Sequence, residues 1–436
     1  MKKVLSFILS LLMIFVSIIP CEVLAEENYF EQDDFVKESV FINVGNNENL
    51  GEEADNFNDY NERLIWSSSN SRVATVSKNG RVSAVKAGKS IVSATAEESG
   101  NTIAEFTVFS YKEKSGSYIN TSKLKTVSTK KSKYTYNQMK KDLKALSEKY
   151  SSIMTYSSAG KTCDNRDIFE VVIGNPNAQN HILVQASMHA REYMNSLLVM
   201  REIEAICANY YTGAYDGYSF CELFEETCLH VVPMTNPDGV SISQFGTKAI
   251  RDEKIRKRLE KIEKKYAKGR KNYFTNWKSN AMGVDLNINF PQCWNKYKSY
   301  VKHPGAEGFK GKSPTSENET RILMEIVKRV KPKAVISYHS TGSMLFWNFR
   351  QSGSFRNKCK SLYKVVNGVT GYFDAEPNPK RSIVSSNFGE WVCNNQKIPT
   401  VTVETGKATC PLPIKEYNRI WSENKYLLPA VALWCR

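Results

Sequence analysis

The chain has 436 residues, of which 41% are hydrophobic, so it can build a sizeable core and is longer than one ordinary domain. Its formal net charge is +15, but no zinc-finger or aromatic-interleaved basic pattern accompanies the charge, so we expect no nucleic-acid partner. No two cysteines have Cys-x-x-Cys spacing, which disfavours a zinc site built from thiolates. The composition therefore predicts a globular protein of two domains.

The first 25 residues have the pattern of a secretory signal peptide. Two lysines precede an apolar run over residues 4–20, and Val23 and Ala25 supply the small residues that come before a cleavage site. The run is short for a membrane span, although an uncleaved anchor is the alternative. We expect a secreted, extracellular protein that keeps no stable membrane span after cleavage, with cell-wall association as an option.

Residues 36–111 have the pattern of short strands separated by turns. Asn79-Gly80 lies between two β-rich runs, which predicts a hairpin with a type I′ turn in a small antiparallel sandwich. The stretch IWSSSNSRVATVSKNGRVSAVKAGKSIVSATA resembles the bacterial immunoglobulin-like domains of group 2, which implies a spacer or an adhesive module. Residues 112–133 are polar and rich in Ser, Thr and Lys, so we expect a tether there.

Residues 134–436 alternate between apolar strands and amphipathic helices. Predicted strands are DIFEVVIG, HILVQAS, CLHVVPM, KAVISYH and TVTVE, and predicted helices include YNQMKKDLKALSEKY, NSLLVMREIEAICANYY and TSENETRILMEIVKRV. This alternation indicates an α/β domain around a mixed sheet. Ligands of such sheets collect at the carboxyl ends of the strands.

Basic residues concentrate in residues 248–278, which hold thirteen Lys and Arg. One interpretation is a solvated helix face. The other is electrostatic attraction to an anionic polymer of a bacterial wall.

Cysteine numbers leave the disulfide pattern open. Ten cysteines are present, and loss of Cys21 with the signal peptide leaves nine, which permits at most four disulfides and one free thiol. Cys221 and Cys228 are close enough in sequence to bridge a short loop, or they are two small buried side chains.

Ionisable side chains stand at the ends of several predicted strands. His189 and Glu192 follow HILVQAS, and their spacing of three residues lets both side chains point the same way. A single His-x-x-Glu is weak evidence, but His339 also ends KAVISYH and Glu404 ends TVTVE. Buried His and Glu side chains are costly without a partner, and a shared metal ion supplies one. The pattern predicts a metal site with a further carboxylate beside it.

Five motifs in this region resemble those of the zinc carboxypeptidases of the carboxypeptidase A type. They are HARE (189–192), TNPDG (235–239), GVDLNINFP (283–291), SYHS (337–340) and TVETG (402–406), in the family's order. The resemblance implies one Zn²⁺ per chain held by His189, Glu192 and His339. It also implies that Glu404 takes a proton from water and delivers it to the departing nitrogen.

Two further roles are implied by the same resemblance. Asp285 would accept the other N–H of His189 and fix its tautomer, although a turn or cap aspartate is the alternative. Lys278 stands near the place where relatives carry an arginine that stabilises the oxyanion, and an ordinary surface lysine is the alternative.

The sequence departs from the carboxypeptidases where they bind a free terminal carboxylate. Relatives have Asn-Arg-Asn-Phe, whereas Ile288 replaces the arginine here, and Ser382 stands where carboxypeptidase A has a tyrosine that closes over substrate. The chain therefore resembles the bacterial branch that hydrolyses γ-D-glutamyl–diaminopimelate bonds in cell-wall peptides, as does its stretch 304–323. Arg191 and Asn287 remain to bind a substrate carboxylate.

The sequence predicts an exported zinc metallopeptidase that acts on peptides or on the stem peptides of peptidoglycan. One alternative is an ordinary metallocarboxypeptidase in which another arginine, such as Arg381, binds the terminal carboxylate. The other is a non-catalytic wall-binding or adhesive protein.

Overall fold

A computed structural model of the chain describes residues 36–58, 62–375 and 385–436. The predicted signal peptide, Arg381 and Ser382 lie outside these ranges. Among the helices within them, none has the length and apolarity needed to cross a membrane. The described strands form two small sheets near the N-terminus, and an eight-stranded and a two-stranded sheet in the remainder of the chain.

The N-terminal part is a sandwich of a four-stranded and a three-stranded sheet. Its elements are β1 (Val36–Asn43), β2 (Asn47–Asn49), α1 (Gly51–Asp55), β3 (Leu64–Ser68), β4 (Ala74–Val76), β5 (Arg81–Ala84), β6 (Gly88–Ala96) and β7 (Thr102–Tyr111). The sheet orders are β1-β7-β6-β3 and β2-β5-β4, with Val82, Val92 and Phe106 in the shared core. The prediction of an antiparallel sandwich was wrong for one pair of strands, because β1 and β7 run parallel at the sheet edge.

The predicted hairpin between β4 and β5 is present, but its turn differs. Four residues separate the two strands, whereas a type I′ hairpin has two. The loop is closed by a hydrogen bond from Ser77 N to Arg81 O at 2.9 Å, so Asn79 and Gly80 are only its second half. Of the Asn79-Gly80 pair only Gly80 has a positive φ, 73°, so a type I′ turn is not formed. A Cβ at Gly80 would lie 2.6 Å from the Trp66 ring, which explains why glycine is required there.

The C-terminal part interleaves strands and helices as the sequence predicts. Its strands are β8 (Met154–Lys161), β9 (Asp167–Ile173), β10 (Asn180–Ala186), β11 (Ala214–Tyr215), β12 (Tyr218–Ser219), β13 (Thr227–Val232), β14 (Ala334–His339), β15 (Met344–Phe346), β16 (Phe373–Asp374) and β17 (Thr400–Glu404). Its helices are α2 (Tyr136–Lys149), α3 (Met194–Ala208), α4 (Phe220–Glu226), α5 (Pro237–Phe245), α6 (Glu253–Tyr266), α7 (Asn318–Val330), α8 (Gly353–Thr370), α9 (Phe388–Glu390), α10 (Tyr417–Asn424) and α11 (Leu427–Cys435).

The eight-stranded sheet has the order β16-β15-β17-β14-β10-β13-β9-β8. The neighbours β13, β10, β14 and β17 are parallel, so their carboxyl ends meet at one edge. Successive residues of each strand point to opposite faces. Ile182 and Val184 of β10 face the core under α2, α3, α8 and α11, whereas Leu183 faces the core under α7. Both faces are covered, which explains the nearly continuous apolar runs of these strands.

The segment 112–133 is packed against the C-terminal part, so the expectation of a tether was wrong. Leu124 and Val127 are buried. The backbone N–H groups of residues 125–127 donate to the buried carboxylate of Glu204 on α3, at 2.6 to 3.1 Å. Polar composition concealed this packing because the partner is a single carboxylate on a distant helix. The boundaries 36–111, 112–133 and 134–436 stay predictions.

The basic stretch forms α6, whose Leu259 and Ile262 are buried while most of its charged residues face solvent. Asp252 caps its N-terminus by accepting from Lys254 N and Ile255 N.

The cysteines of the described residues are all free thiols. No bridge joins Cys221 to Cys228, and both are fully buried as small apolar side chains.

Candidate metal centre and active site

Three ionisable side chains are brought together at the carboxyl edge of the sheet. β10 ends at Ala186, and the φ of 53° at Ser187 turns the chain away from the strand. Glu192 N then donates to His189 O at 3.1 Å, in a turn that brings both side chains to the same side. His339 is the last residue of β14, which runs parallel beside β10. The turn after β10 and the end of β14 therefore bring these three side chains to the same place.

The donor atoms converge within coordinating reach. His189 Nδ1 lies 2.9 Å from Glu192 Oε1 and 3.1 Å from His339 Nδ1. His339 Nδ1 lies 3.1 Å from Glu192 Oε2. A tetrahedral zinc with bonds of about 2.1 Å holds its ligand atoms roughly 3.4 Å apart. All three side chains are buried, so this spacing matches a closed group of metal ligands.

The charges of these side chains also suit a cation. Although burial and Lys278 oppose it, the Glu192 carboxylate raises the pKa of His189 to about 9. Burial favours the neutral acid, yet His189 and His339 hold the pKa of Glu192 well below its usual range. Burial lowers the pKa of His339. Without a metal, a protonated His189 balances the ionised Glu192. A zinc ion would take the place of that proton, and two imidazoles with one carboxylate are a donor set that fits zinc.

Asp285 lies behind His189, before a 3₁₀ turn over Leu286–Ile288. Its Oδ1 is 3.4 Å from His189 Nε2 and has no hydrogen-bond partner, while Gly308 N donates to Oδ2 at 3.1 Å. Burial opposes ionisation, but the His189 ring and Lys278 hold the pKa of Asp285 far below normal. A buried, ionised carboxylate facing the outer nitrogen of a ligand imidazole can orient that ring.

Glu404 stands beside the three donors. It is the last residue of β17 and lies opposite His339 in the parallel register. Burial and the neighbouring Glu192 raise its pKa to about 8. The side chain also lines a cavity of about 300 Å³, so it faces both the donors and a space that substrate could occupy.

Lys278 is tied to the same loop through its backbone. Its carbonyl accepts from Ala190 N at 2.9 Å, and its amide N donates to Ala306 O at 2.8 Å. Burial disfavours its charge, but Asp285 and Glu192 raise the pKa of the ammonium. Its positive charge also opposes the upward pKa shift of Glu404. Lys278 is thus a half-buried cation in the field of the site and not an isolated surface lysine.

Arg191 lies on the His189–Glu192 turn and reaches a cationic groove. Its Nη1 donates to Asn276 O at 3.2 Å, its Nη2 is 3.6 Å from Glu307, and its Nε has no partner. Arg270 and Lys271 line the same groove, whose volume is about 310 Å³. The groove can accept an anionic group.

Asn287 lies in the wall of the Glu404 cavity. Its Oδ1 accepts from Phe388 N at 3.2 Å, which orients the amide. Described residues of the same wall include Tyr297, Asn348 and Glu390, and none of them carries a positive charge. Ile288 is buried nearby in the chain and cannot supply the missing guanidinium.

Two groups of side chains around the site have no clear sequence signal. Glu390 lines the cavity, is buried and is paired with Arg350, but it lies on the short helix α9 and no motif marks it. Asn195, Ser340 and Thr405 form a hydrogen-bonded group that ties α3 to the ends of β14 and β17, at 2.7 to 3.1 Å. In the sequence, these three residues are marked only by their closeness to Glu192, His339 and Glu404.

Comparisons with known proteins follow this geometry. Residues 139–427 match the family model described as zinc carboxypeptidase, and residues 30–108 match that of the bacterial Ig-like domain (group 2). The chain is 27% identical to gamma-D-glutamyl-L-diamino acid endopeptidase 1 of Lysinibacillus sphaericus, covering 66% of this chain and 70% of the relative. It is 24% identical to human mast cell carboxypeptidase A, covering 50% and 48%.

A solved structure shows the same fold. Bovine thrombin-activatable fibrinolysis inhibitor, in complex with a tick carboxypeptidase inhibitor, matches with a TM-score of 0.55 at 15% identity, over 69% of this chain and 97% of that one. The predicted α/β domain with a mixed sheet and the preceding Ig-like domain are confirmed. The family model covers well over half of the sequence, and the chain therefore belongs to the zinc carboxypeptidase family.

Proposed function

We propose that the protein is an exported zinc metallopeptidase that cleaves γ-D-glutamyl–diaminopimelate amide bonds in bacterial cell-wall peptides. The observation that carries the proposal is a contrast within one site. The donors His189, Glu192 and His339 converge beside Glu404, while the described wall of the adjoining cavity has no cation for a terminal carboxylate. The groups for hydrolysis are present, but a cation that would bind the carboxylate of a free C-terminus is absent from the described wall of the cavity.

The chemistry follows from the named side chains. When bound, zinc would act as a Lewis acid that polarises the scissile carbonyl and makes water acidic near neutral pH. In its ionised form, Glu404 takes the proton from water and passes it to the departing nitrogen. Asp285 holds the imidazole of His189 in one tautomer. Lys278 places a positive charge near the carbonyl oxygen as negative charge develops on it.

Arg191 and Asn287 provide the proposed recognition of a γ-linked substrate. In a γ-D-glutamyl bond the α-carboxylate of the glutamate remains free beside the scissile amide. Arg191 opens onto a groove with two further cations, and the amide of Asn287 is held with its nitrogen free to donate. The similarity to the Lysinibacillus sphaericus endopeptidase supports the same substrate class.

Export and wall contact are parts of the same proposal. The signal-like first 25 residues and the bacterial Ig-like module support an extracellular site of action. The exposed basic face of α6 is complementary to the anionic polymers of a bacterial wall.

An ordinary carboxypeptidase is the second candidate, favoured by the similarity to human mast cell carboxypeptidase A. Two substrates separate the candidates: L-Ala-γ-D-Glu-diaminopimelate with its terminal α-carboxylate amidated, and an α-linked peptide with a free C-terminus. We expect cleavage of the amidated γ-linked peptide. Cleavage of the α-linked peptide alone would establish the carboxypeptidase, and zinc-loaded protein that cleaves neither would be a binding protein.

Arg191→Gln tests the recognition step. We expect KM for the γ-linked tripeptide to rise about tenfold or more, because a charge-assisted hydrogen bond to carboxylate is lost. Arg256→Gln, which removes the same charge from α6, is the matched control and should leave KM unchanged. Equal KM values for wild type and Arg191→Gln would contradict the assignment of this residue.

A further inference from the structure

A second group of metal-binding side chains lies at the opposite edge of the sheet. The chain has five histidines, of which His189 and His339 belong to the active site and His181 and His230 lie together elsewhere. His181 is the second residue of β10, whose far end leads to the active site. At about 3.3 Å per residue, roughly 17 Å of strand separates the two places.

Strand register places three donors next to one another. β10 and β13 are parallel, and His181 is paired with Cys228. His230 lies two residues beyond Cys228, so its side chain is on the same face. His181 Nδ1 is 3.0 Å from His230 Nε2, and the ligand atoms of all three residues lie within 4.8 Å of one another. Zinc bound to two imidazoles and a thiolate needs similar spacings.

The outer nitrogen of His230 is held as in a metal site. His230 Nδ1 is 2.8 Å from Glu170 Oε1 on β9, and Arg329 of α7 pairs with the other carboxylate oxygen. Burial opposes ionisation, yet the His230 hydrogen bond and the Arg329 charge lower the pKa of Glu170. The Nδ1 of His230 faces Glu170, so Nε2 is the nitrogen that faces His181 and would bind the metal. Carboxylates orient metal-bound imidazoles in this way.

The burial of Cys228 argues against a role for it as a catalytic nucleophile. Cys228 is fully buried and His230 is nearly so, whereas His181 is half exposed. The buried sulfur of Cys228 is not exposed to a substrate, whereas the half-exposed His181 opens one side of the group to solvent. Burial and the Glu170 charge raise the pKa of the Cys228 thiol to about 12, so the thiol is neutral without a metal. Binding would form a metal–sulfur bond and release the thiol proton to solvent.

We propose that His181, Cys228 and His230 form a second, structural zinc site that joins β10 to β13 at the amino edge of the sheet. It is independent of the catalytic proposal, because no residue is shared between the two groups. The site stabilises the fold beneath α7 and takes no part in the reaction.

Cobalt substitution of the full mature chain distinguishes this site from the catalytic one. The active-site donors contain no sulfur, so a thiolate-to-cobalt charge-transfer band in the near ultraviolet reports the second site alone. We expect two equivalents of Co²⁺ per chain and this band. One equivalent without the band would overturn the proposal.

Two variants test the ligands His181 and Cys228, and a third serves as the control. His181→Gln, at a half-exposed position, should reduce bound metal from two equivalents to one and remove the band. Cys228→Ser should also remove the band, and circular dichroism together with the remaining equivalent shows that each variant is folded. Cys221→Ser, a fully buried cysteine away from both groups, is the matched control and should retain both. A band that survives Cys228→Ser, or is lost in Cys221→Ser, would refute the site.

Discussion

The two edges of the central sheet each carry a pair of histidines with a third potential metal ligand, in different structural settings. At the carboxyl edge His189, Glu192 and His339 come from a turn and a strand end, and Glu404 beside them lines a cavity. At the amino edge His181, Cys228 and His230 lie within strands and under α7. A strand end leaves room for substrate beside the ligands, whereas a strand interior does not. Position along the strand thus distinguishes the proposed catalytic group from the proposed structural one.

The largest effect is expected at the carboxyl edge. His339→Ala removes a ligand that comes from the strand and leaves Glu192 without one of its two imidazoles. We expect catalytic zinc and turnover of the γ-linked tripeptide to be lost together, measured by metal analysis and hydrolysis assays. His303→Ala is the control, since it removes an imidazole that stacks on Tyr266 and belongs to neither group of donors. If His339→Ala kept its turnover, the assignment of the carboxyl edge as the catalytic site would be contradicted.

Asp285→Asn should have the next largest effect. The amide keeps the shape of the side chain but removes the negative charge that faces the outer nitrogen of His189. Metal affinity or activity should therefore fall by roughly 10- to 100-fold. Zinc titration with a competing chelator measures the affinity. Asp252→Asn, at the cap of α6, controls for loss of a carboxylate. An unchanged affinity would show that Asp285 is a turn residue only.

The buried carboxyl of Glu202 makes the stability of the fold near the carboxyl edge depend on pH. It is buried on α3, accepts from the hydroxyl of Tyr338 at 2.8 Å, and burial raises its pKa to about 8. The fold therefore favours the protonated acid, so the contribution of Glu202 to stability is fully present below pH 4.5 and is lost as pH rises through 8. The loss should be about 3 to 5 kcal/mol.

Glu202→Gln tests that expectation, because the amide is neutral at every pH. Urea unfolding at pH 5 and pH 8 should show a smaller fall in the free energy of unfolding for the variant than for wild type. Glu148→Gln, on the exposed end of α2, should behave like wild type. Parallel pH curves for Glu202→Gln and wild type would show that Glu202 is ionised in the fold.

The smallest effect on turnover is expected at the amino edge. His181→Gln lies far from the reacting groups, so kcat/KM should change by less than about twofold at saturating zinc. Its thermal midpoint should nevertheless lose the increase that added zinc gives wild type. A large fall in kcat/KM with catalytic zinc retained would mean that the two edges are coupled.

Much of the carboxyl edge could be predicted from sequence, because buried parallel strands are continuous apolar runs and a charged residue at their end is conspicuous. His339 and Glu404 were found in this way, and the family resemblance added Asp285. Glu390 was missed because it lies on the short helix α9 and no motif marks it. The group at the amino edge was missed because only the register of β10 against β13 places His181 beside Cys228. Glu204 was missed for a similar reason, since its partners are backbone groups of a distant segment.

The most direct test of the central proposal is the turnover of Glu404→Gln at measured zinc content. Glutamine keeps the shape of the side chain but cannot take a proton from water. We predict the same catalytic zinc content as wild type and a fall in kcat on the γ-linked tripeptide of roughly 10²- to 10⁴-fold. Wild-type turnover by zinc-loaded Glu404→Gln would contradict the assignment of Glu404 as the base and, with it, the proposed mechanism.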